Sequence, residues 1–392
     1  MSDFHGIALP SRVYAGERAA EGVAEVLRGS RAERVALFCD RTVWDLGLAE
    51  GVERAVADAR AALLVSFDVS GEPTCSDVER ATAWFEGCWA DAVVAVGGGS
   101  VMDAAKLVGV LAGAHYTLGD LLEGSARATR RVPTVMVPTT AGTGAEATPN
   151  AVVTVPESGL KAGVVSPALM ADAVVLDPSL VMGMPAPVAA ATGADALCHA
   201  VECATSARAN PLSDVHALSA LRLVMGNLRA SCAGGDREAR AAMQLGAFLA
   251  GSAIAGSGTT AAHALSYPLG ARHHVPHGVA CALLLVPVLR YNLPAVEDAL
   301  ARCYDECRLD LGAVGTGERA RAFVDAVERL LGSVELPGDL AGYGVREGDL
   351  DDLVEGALRV RRLLDNNRRE VTPEAARAIF AQALRGGARE GA

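Results

Sequence analysis

The chain has 392 residues, 51% of them hydrophobic and 21% charged, and a formal net charge of −12. That length allows two domains with a well-buried core, and the composition is globular rather than disordered or fibrous. The acidic balance excludes a sequence-independent grip on nucleic-acid phosphates and argues against docking on anionic membranes.

The opening 16 residues carry no basic stretch followed by an apolar one, so no secretory leader is expected. No run of about 18 apolar residues suggests a membrane span. The most apolar run, Val279–Leu289, is shorter and contains Pro287. Nine cysteines, odd in number and without Cys-x-x-Cys pairs, fit reduced thiols in a cytosol. Each is read as a small buried hydrophobe.

In chain order, Val35–Cys39, Leu63–Val69, Ala92–Val96, Thr134–Val137 and Ala173–Leu176 read as strands. Amphipathic stretches such as Ala20–Arg28 and Val78–Trp89 lie between them. This alternation predicts an α/β fold with a mostly parallel sheet. Beyond Asp177-Pro178 the pattern turns helical, through Pro187–Thr205, Leu212–Leu228, Arg237–Ala255, His277–Leu289, Glu318–Leu331 and Pro373–Leu384. A boundary near residue 180 therefore separates an α/β domain (1–180) from an all-α domain (181–392). With no repeat and no low-complexity linker, the two are expected to enclose a ligand cleft.

Strand Ala92–Val96 runs into Gly97-Gly98-Gly99-Ser100 and a helix start. Glycines let backbone approach a pyrophosphate, and a helix N-terminus offers free N–H groups and a positive dipole end. A tight turn without a ligand explains three glycines about as well. A second loop, Pro138-Thr139-Thr140-Ala-Gly142-Thr143-Gly144, follows strand Thr134–Val137 and favours a nucleotide site at the sheet's carboxyl edge. Asp40 closes Val35–Cys39. Its carboxylate could accept from a ribose 2′-hydroxyl and repel a 2′-phosphate, favouring NAD over NADP, or it could cap a helix.

The histidines concentrate in two windows. Asp195 and His199 stand four residues apart on a helical pattern and share a face, with Glu202 placed to orient His199 from behind. In the second window Pro268 and Pro276 are expected to make a helix end, a loop and a new helix start. His263 and His277 then lie on separate elements able to converge. One Asp and three His suit Fe²⁺ or Zn²⁺ rather than Mg²⁺ or Ca²⁺, and an open position would let the ion act as a Lewis acid.

These residues resemble the iron-containing (group III, metal-dependent) alcohol dehydrogenase family, which has a dehydroquinate synthase-like fold. The matching pieces are GGGSVMDAAK (97–106), PTTAGTGAEAT (138–148), Asp177-Pro178, GADALCHAVE (193–202), and His263 to the Pro-His-Gly ending at Gly278. Pro10–Gly16 is similar to the family's first strand. The resemblance implies an α/β nucleotide-binding domain, a helical metal-binding domain, and hydride transfer between a nicotinamide and a small alcohol or carbonyl. It carries the metal ligands onto Asp195, His199, His263 and His277. It carries dinucleotide contacts onto Asp40, Gly97, Gly98, Gly99, Ser100, Asp103, Thr139, Thr140 and Thr143, with Lys161 and Asn150 lining the cofactor side.

There are departures from the family pattern. Tyr267 stands where many members have a second histidine that helps proton traffic, and a phenol is the poorer base at neutral pH. Tyr267 is therefore read as a pocket wall, with His273, His274 or water moving the proton. Asn366-Asn367-Arg368 stands where members often have Asn-Pro-Arg, and no catalytic meaning is attached to it.

Rival readings are a maleylacetate reductase, a glycerol dehydrogenase, a NAD-using sugar-phosphate cyclase (a lyase), or a nucleotide-binding protein without catalysis. Intact Asp195 and Pro276-His277-Gly278 argue against the first, and the lack of a Lys/Arg cluster argues against the cyclase. Arg272, His273 and His274 hint at an anionic aldehyde, but a solvated loop explains them better. The expected partner is a small molecule, and a homodimer is compatible with a sequence that does not fix oligomeric state.

Overall fold

The computed structural model describes residues 5–69, 71–155 and 160–386. The chain forms two compact units, Ala8–Gly183 and the chain from Met184 onward together with the segment up to Ile7.

The α/β unit contains strands β1 (Arg12–Ala15), β2 (Arg34–Cys39), β3 (Ala62–Ser66), β4 (Ala92–Gly97), β5 (Thr134–Pro138), β6 (Asn150–Val155), β7 (Leu160–Val165) and β8 (Ala173–Leu176). Its helices are α1 (Glu21–Ser30), α2 (Arg41–Asp45), α3 (Glu50–Asp58), α4 (Cys75–Gly87), α5 (Gly99–Leu111) and α6 (Leu118–Glu123). Six strands make one parallel sheet in the order β1-β8-β5-β4-β2-β3. All of β4 and nearly all of β2 are buried, which is why they read as unbroken apolar runs rather than alternating ones. Val23 and Leu27 of α1 and Val52 and Val56 of α3 cover one face of the sheet.

The strand order has a reversal. From β2 the chain moves outward to β3, then returns to the other side of β2 for β4 and continues through β5 to β8. The topological switch point therefore lies between β2 and β4. Ligands of open α/β sheets bind outside the carboxyl ends of strands at that point. Asp40 follows β2 and Gly97–Gly99 ends β4, so both flank it.

The antiparallel pair β6–β7 was not anticipated. Asn150 faces Val165 and Thr154 faces Lys161 across it.

The helical unit contains α7 (Ala186–Thr205), α8 (Pro211–Ala233), α9 (Arg237–Ser257), α10 (Ala261–His273), α11 (His277–Glu306), α12 (Thr316–Gly332), α13 (Leu350–Leu358), α14 (Arg361–Leu364) and α15 (Pro373–Arg385). Every residue of α7 from Gly193 to Thr205 is buried, so it is the unit's central rod. Two prolines behave differently from expectation. Pro268 lies inside α10, and the chain breaks only at His274–Pro276. An interior proline forfeits one helix hydrogen bond. Pro268 packs against Gly356 of α13, and the buried face of α10 outweighs the lost bond. Likewise α11 does not stop near Leu289. It runs through Pro287 and Pro294 to Glu306, with a kink at Val296. By length and composition α11 could cross a membrane, but 67% of its most apolar window is buried within the protein.

Candidate functional site

The nucleotide loops come first. Gly97 of β4 pairs in register with Pro138 of β5, and the Thr139 N–H donates to Gly97 O at 3.0 Å. The two loops are therefore adjacent at the carboxyl edge of the sheet. A methyl group on Gly99 would lie 2.8 Å from the Thr143 side chain, and Gly98 faces Thr140. At position 99 only glycine lets the loops close this far. No side chain caps the N-terminus of α5 at Gly98. Its first N–H groups, with Ser100 among them, are left to a ligand or to water.

The remaining cofactor candidates are placed unevenly. One Asp40 carboxylate oxygen accepts from Thr42 N at 2.8 Å and caps α2, so the capping role is realised at the position that flanks the switch point. Asp103 is committed to internal bonds. One oxygen accepts from Val152 N at 3.0 Å and the other pairs with Lys106 Nζ at 2.9 Å. Asn150 opens β6, and its carbonyl accepts from Lys106. Lys161 pairs with Glu72. It faces Thr154, four positions from Asn150 and about 13 Å along the hairpin.

Lys106 itself escaped the sequence reading. Its ammonium is fully buried and also donates to Ala145 O at 2.8 Å and to Thr148 Oγ1 at 3.3 Å. It ties α5 to the end of the threonine loop and the start of the hairpin. Burial pushes the neighbouring Glu146 carboxyl up to about 7, against the pull of Lys106. A Lys following a glycine turn by a few residues was the available signal.

The second cluster lies wholly within the helical unit. Asp195 and His199 come from consecutive turns of α7, His263 from the first turn of α10, and His277 is the first residue of α11. Pro276 precedes that helix, and Gly278 lets it start against α7. A methyl group there would sit 2.0 Å from Ala191 O. Asp195 Oδ1 stands 3.8 Å from His199 Nε2, 3.5 Å from His263 Nε2 and 3.7 Å from His277 Nε2. Two atoms each about 2.1 Å from one ion at a tetrahedral angle are about 3.4 Å apart, so these separations fit a shared cation. Asp195 Oδ1 and His263 Nε2 are buried without a hydrogen-bond partner. Orphaned buried polar atoms are costly, and a cation between them removes the cost.

Electrostatics points the same way. Burial favours protonation of Asp195, but His199, His277 and His263 outweigh it and hold the carboxyl below its ordinary range. Burial lowers His199, against the pull of the Asp195 carboxylate.

Glu202 does not orient His199 as expected. Its Oε2 takes the bond from His263 Nδ1. Its Oε1 accepts from Thr260 Oγ1 at 2.8 Å and from the N–H groups of Thr260, Ala262 and His263. One residue of α7 thus caps α10 and fixes a candidate ligand on it. Because a carboxylate only accepts, His263 Nδ1 carries the proton and Nε2 faces Asp195.

Around this cluster, the Tyr267 ring centroid lies 6.3 Å from that of His277. The His277 side chain is 28% exposed, against 3–7% for the other three, so the cluster is approached from the His277 and Tyr267 side. His273 and His274 are not drawn in. They end α10, with His274 exposed in a left-handed capping conformation. Among the described residues neither makes a ring contact or hydrogen bond to the four candidate ligands through its side chain. Arg272 is paired with Asp352 at the surface, which suits the solvated-loop reading. The sequence reading also missed Cys281, one turn beyond His277. With Asp195, His263 and His277 it forms a set whose ligand atoms all lie within 4.8 Å of one another.

Comparison with known proteins covers both units of the chain. The family model described as iron-containing alcohol dehydrogenase matches residues 10–178, and that for the C-terminal part of the Fe-containing alcohol dehydrogenase family matches 189–384. The chain is 33% identical to long-chain-alcohol dehydrogenase 1 of Geobacillus thermodenitrificans (strain NG80-2), over 97% of each protein. It is similar to a crystal structure of 1,3-propanediol oxidoreductase, with TM-score 0.93, 32% identity and coverage of 97% of this chain and 100% of that one. It is also similar to a sulfoacetaldehyde reductase from Bifidobacterium kashiwanohense in complex with NAD+, with TM-score 0.87, 26% identity and coverage of 97% and 98%.

Proposed function

The chain belongs to the iron-containing alcohol dehydrogenase family, and on that premise we propose that it interconverts a small alcohol and its aldehyde or ketone, using NAD and a divalent ion at Asp195, His199, His263 and His277. The observation that carries this reading is the convergence of three imidazole nitrogens on the unpartnered Asp195 Oδ1. When bound, the ion supplies Lewis acidity to a substrate oxygen and the nicotinamide exchanges the hydride.

The chain's own residues do the positioning. Asp195 supplies the negative charge of the cluster, and Glu202 locks His263 in the ligating tautomer. The uncapped N-terminus of α5 and the hydroxyls of Thr139, Thr140 and Thr143 offer donors to a pyrophosphate. Asp40 at the switch point disfavours a 2′-phosphate by like-charge repulsion, so NADH is the expected reductant. Asp40→Gly should narrow that preference, and wild-type protein that works better with NADPH would show that Asp40 serves α2 alone. The reading as a whole is tested by steady turnover of NADH against a panel of short aldehydes. A protein that binds NAD but reduces none of them would favour the non-catalytic alternative.

Tyr267 is assigned to the pocket wall, with His273, His274 or water carrying the proton. Tyr267→Phe keeps the ring volume and removes one donor. The expected result is a changed KM with kcat nearly preserved. A kcat loss of roughly 10²-fold or more, absent from His273→Ala and His274→Ala, would make Tyr267 the proton donor instead.

A further inference from the structure

We infer that Cys281 is an additional ligand of the ion, giving the site a thiolate beside its carboxylate and imidazoles and a preference for Zn²⁺ over Fe²⁺. The inference rests on the reading of Asp195, His263 and His277 as ligands.

Cys281 is fully buried one turn after His277 on α11, so both side chains leave the same face of that helix. Its Sγ lies 3.9 Å from His277 Nε2. Sulfur about 2.3 Å and nitrogen about 2.05 Å from one ion, at an angle of about 110° to each other, stand about 3.6 Å apart, so small adjustments seat both on an ion with five protein ligands. Asp195 Oδ1 and His263 Nε2, both unpartnered and nearly fully buried, belong to the same compact set, which excludes His199. Cys198 of α7, also fully buried, lies close to the Cys281 thiol. On ligation the thiol proton leaves to solvent as the sulfur–metal bond forms. A soft sulfur donor among nitrogen and oxygen donors is the combination that zinc accepts, and the order of divalent affinities also places Zn²⁺ above Fe²⁺.

Cobalt reads this out directly. Protein produced in cobalt-supplemented, zinc-depleted medium should show visible d–d absorption and an intense near-ultraviolet thiolate-to-cobalt charge-transfer band. Cys281→Ser should lose the charge-transfer band while keeping one cobalt per chain and its d–d absorption. Cys198→Ala should keep both bands. When wild type is produced with iron and zinc supplied equally, zinc should predominate, and Cys281→Ser should lower the zinc-to-iron ratio. Visible d–d absorption without the charge-transfer band in wild type would overturn the thiolate and leave the Asp–His site standing. Wild-type protein that takes up no cobalt at all would overturn both.

Discussion

Asp195→Ala and His277→Ala should each give a folded protein that carries no stoichiometric ion and reduces no aldehyde at a measurable rate. Asp195 Oδ1 is the common neighbour of all three imidazoles, and the nearby Glu202 is occupied with His263 Nδ1 and the start of α10. Its removal takes away the carboxylate on which all three imidazoles converge. His277 is the most exposed of the four, so its loss removes the ligand on the side a substrate approaches. Losing several kcal/mol of Lewis-acid stabilisation corresponds to a drop of at least about 10³-fold in kcat/KM. The fold should survive, because alanine is the best helix former and Asp195 has no capping duty in α7. Metal analysis, circular dichroism and NADH turnover on the same preparations separate these effects. Full activity with bound ion in either variant would remove the proposed centre.

Lys106→Met is expected to be the most destabilising single change in the α/β unit. The methionine fills most of the lysine's volume but satisfies none of its partners. Asp103, Ala145 O, Thr148 Oγ1 and Asn150 O all lose a donor in a site closed to water. Breaking a buried ion pair from one side costs about 3–5 kcal/mol. For a unit of this size that corresponds to roughly 6–20 °C in melting temperature. Because Lys106 anchors the segment that follows the threonine loop, KM for NADH should rise as well. A variant that melts with wild type and binds NADH normally would show that the loop is held by other contacts.

Much of this was legible in the sequence. The parallel strands were readable because β2 and β4, buried on both faces, show continuous apolar runs. Asp195 and His199 could be placed together because four residues is one helical turn. The end of α10 was not legible. Pro268 read as a helix end, whereas tertiary packing on Gly356 keeps it inside α10. The partner of Glu202 was misjudged because spacing along α7 shows which residues share a face, not which neighbouring helix that face meets. Hairpin β6–β7 had a signal in the β-branched run from Val152 to Val155 followed by Gly159, which was passed over in favour of the adjoining threonine loop. Cys281 was read as one of nine interchangeable small hydrophobes, and only the convergence of α7, α10 and α11 sets it apart.

The most direct test of the metal-dependent reading is to quantify divalent metal in purified wild-type protein, strip it with a chelator, and follow aldehyde reduction by NADH through removal and restoration. The expected result is about one ion per chain, with activity lost in proportion to metal removed and recovered on adding Zn²⁺ or Fe²⁺. Undiminished NADH-dependent turnover in the fully stripped protein would contradict it.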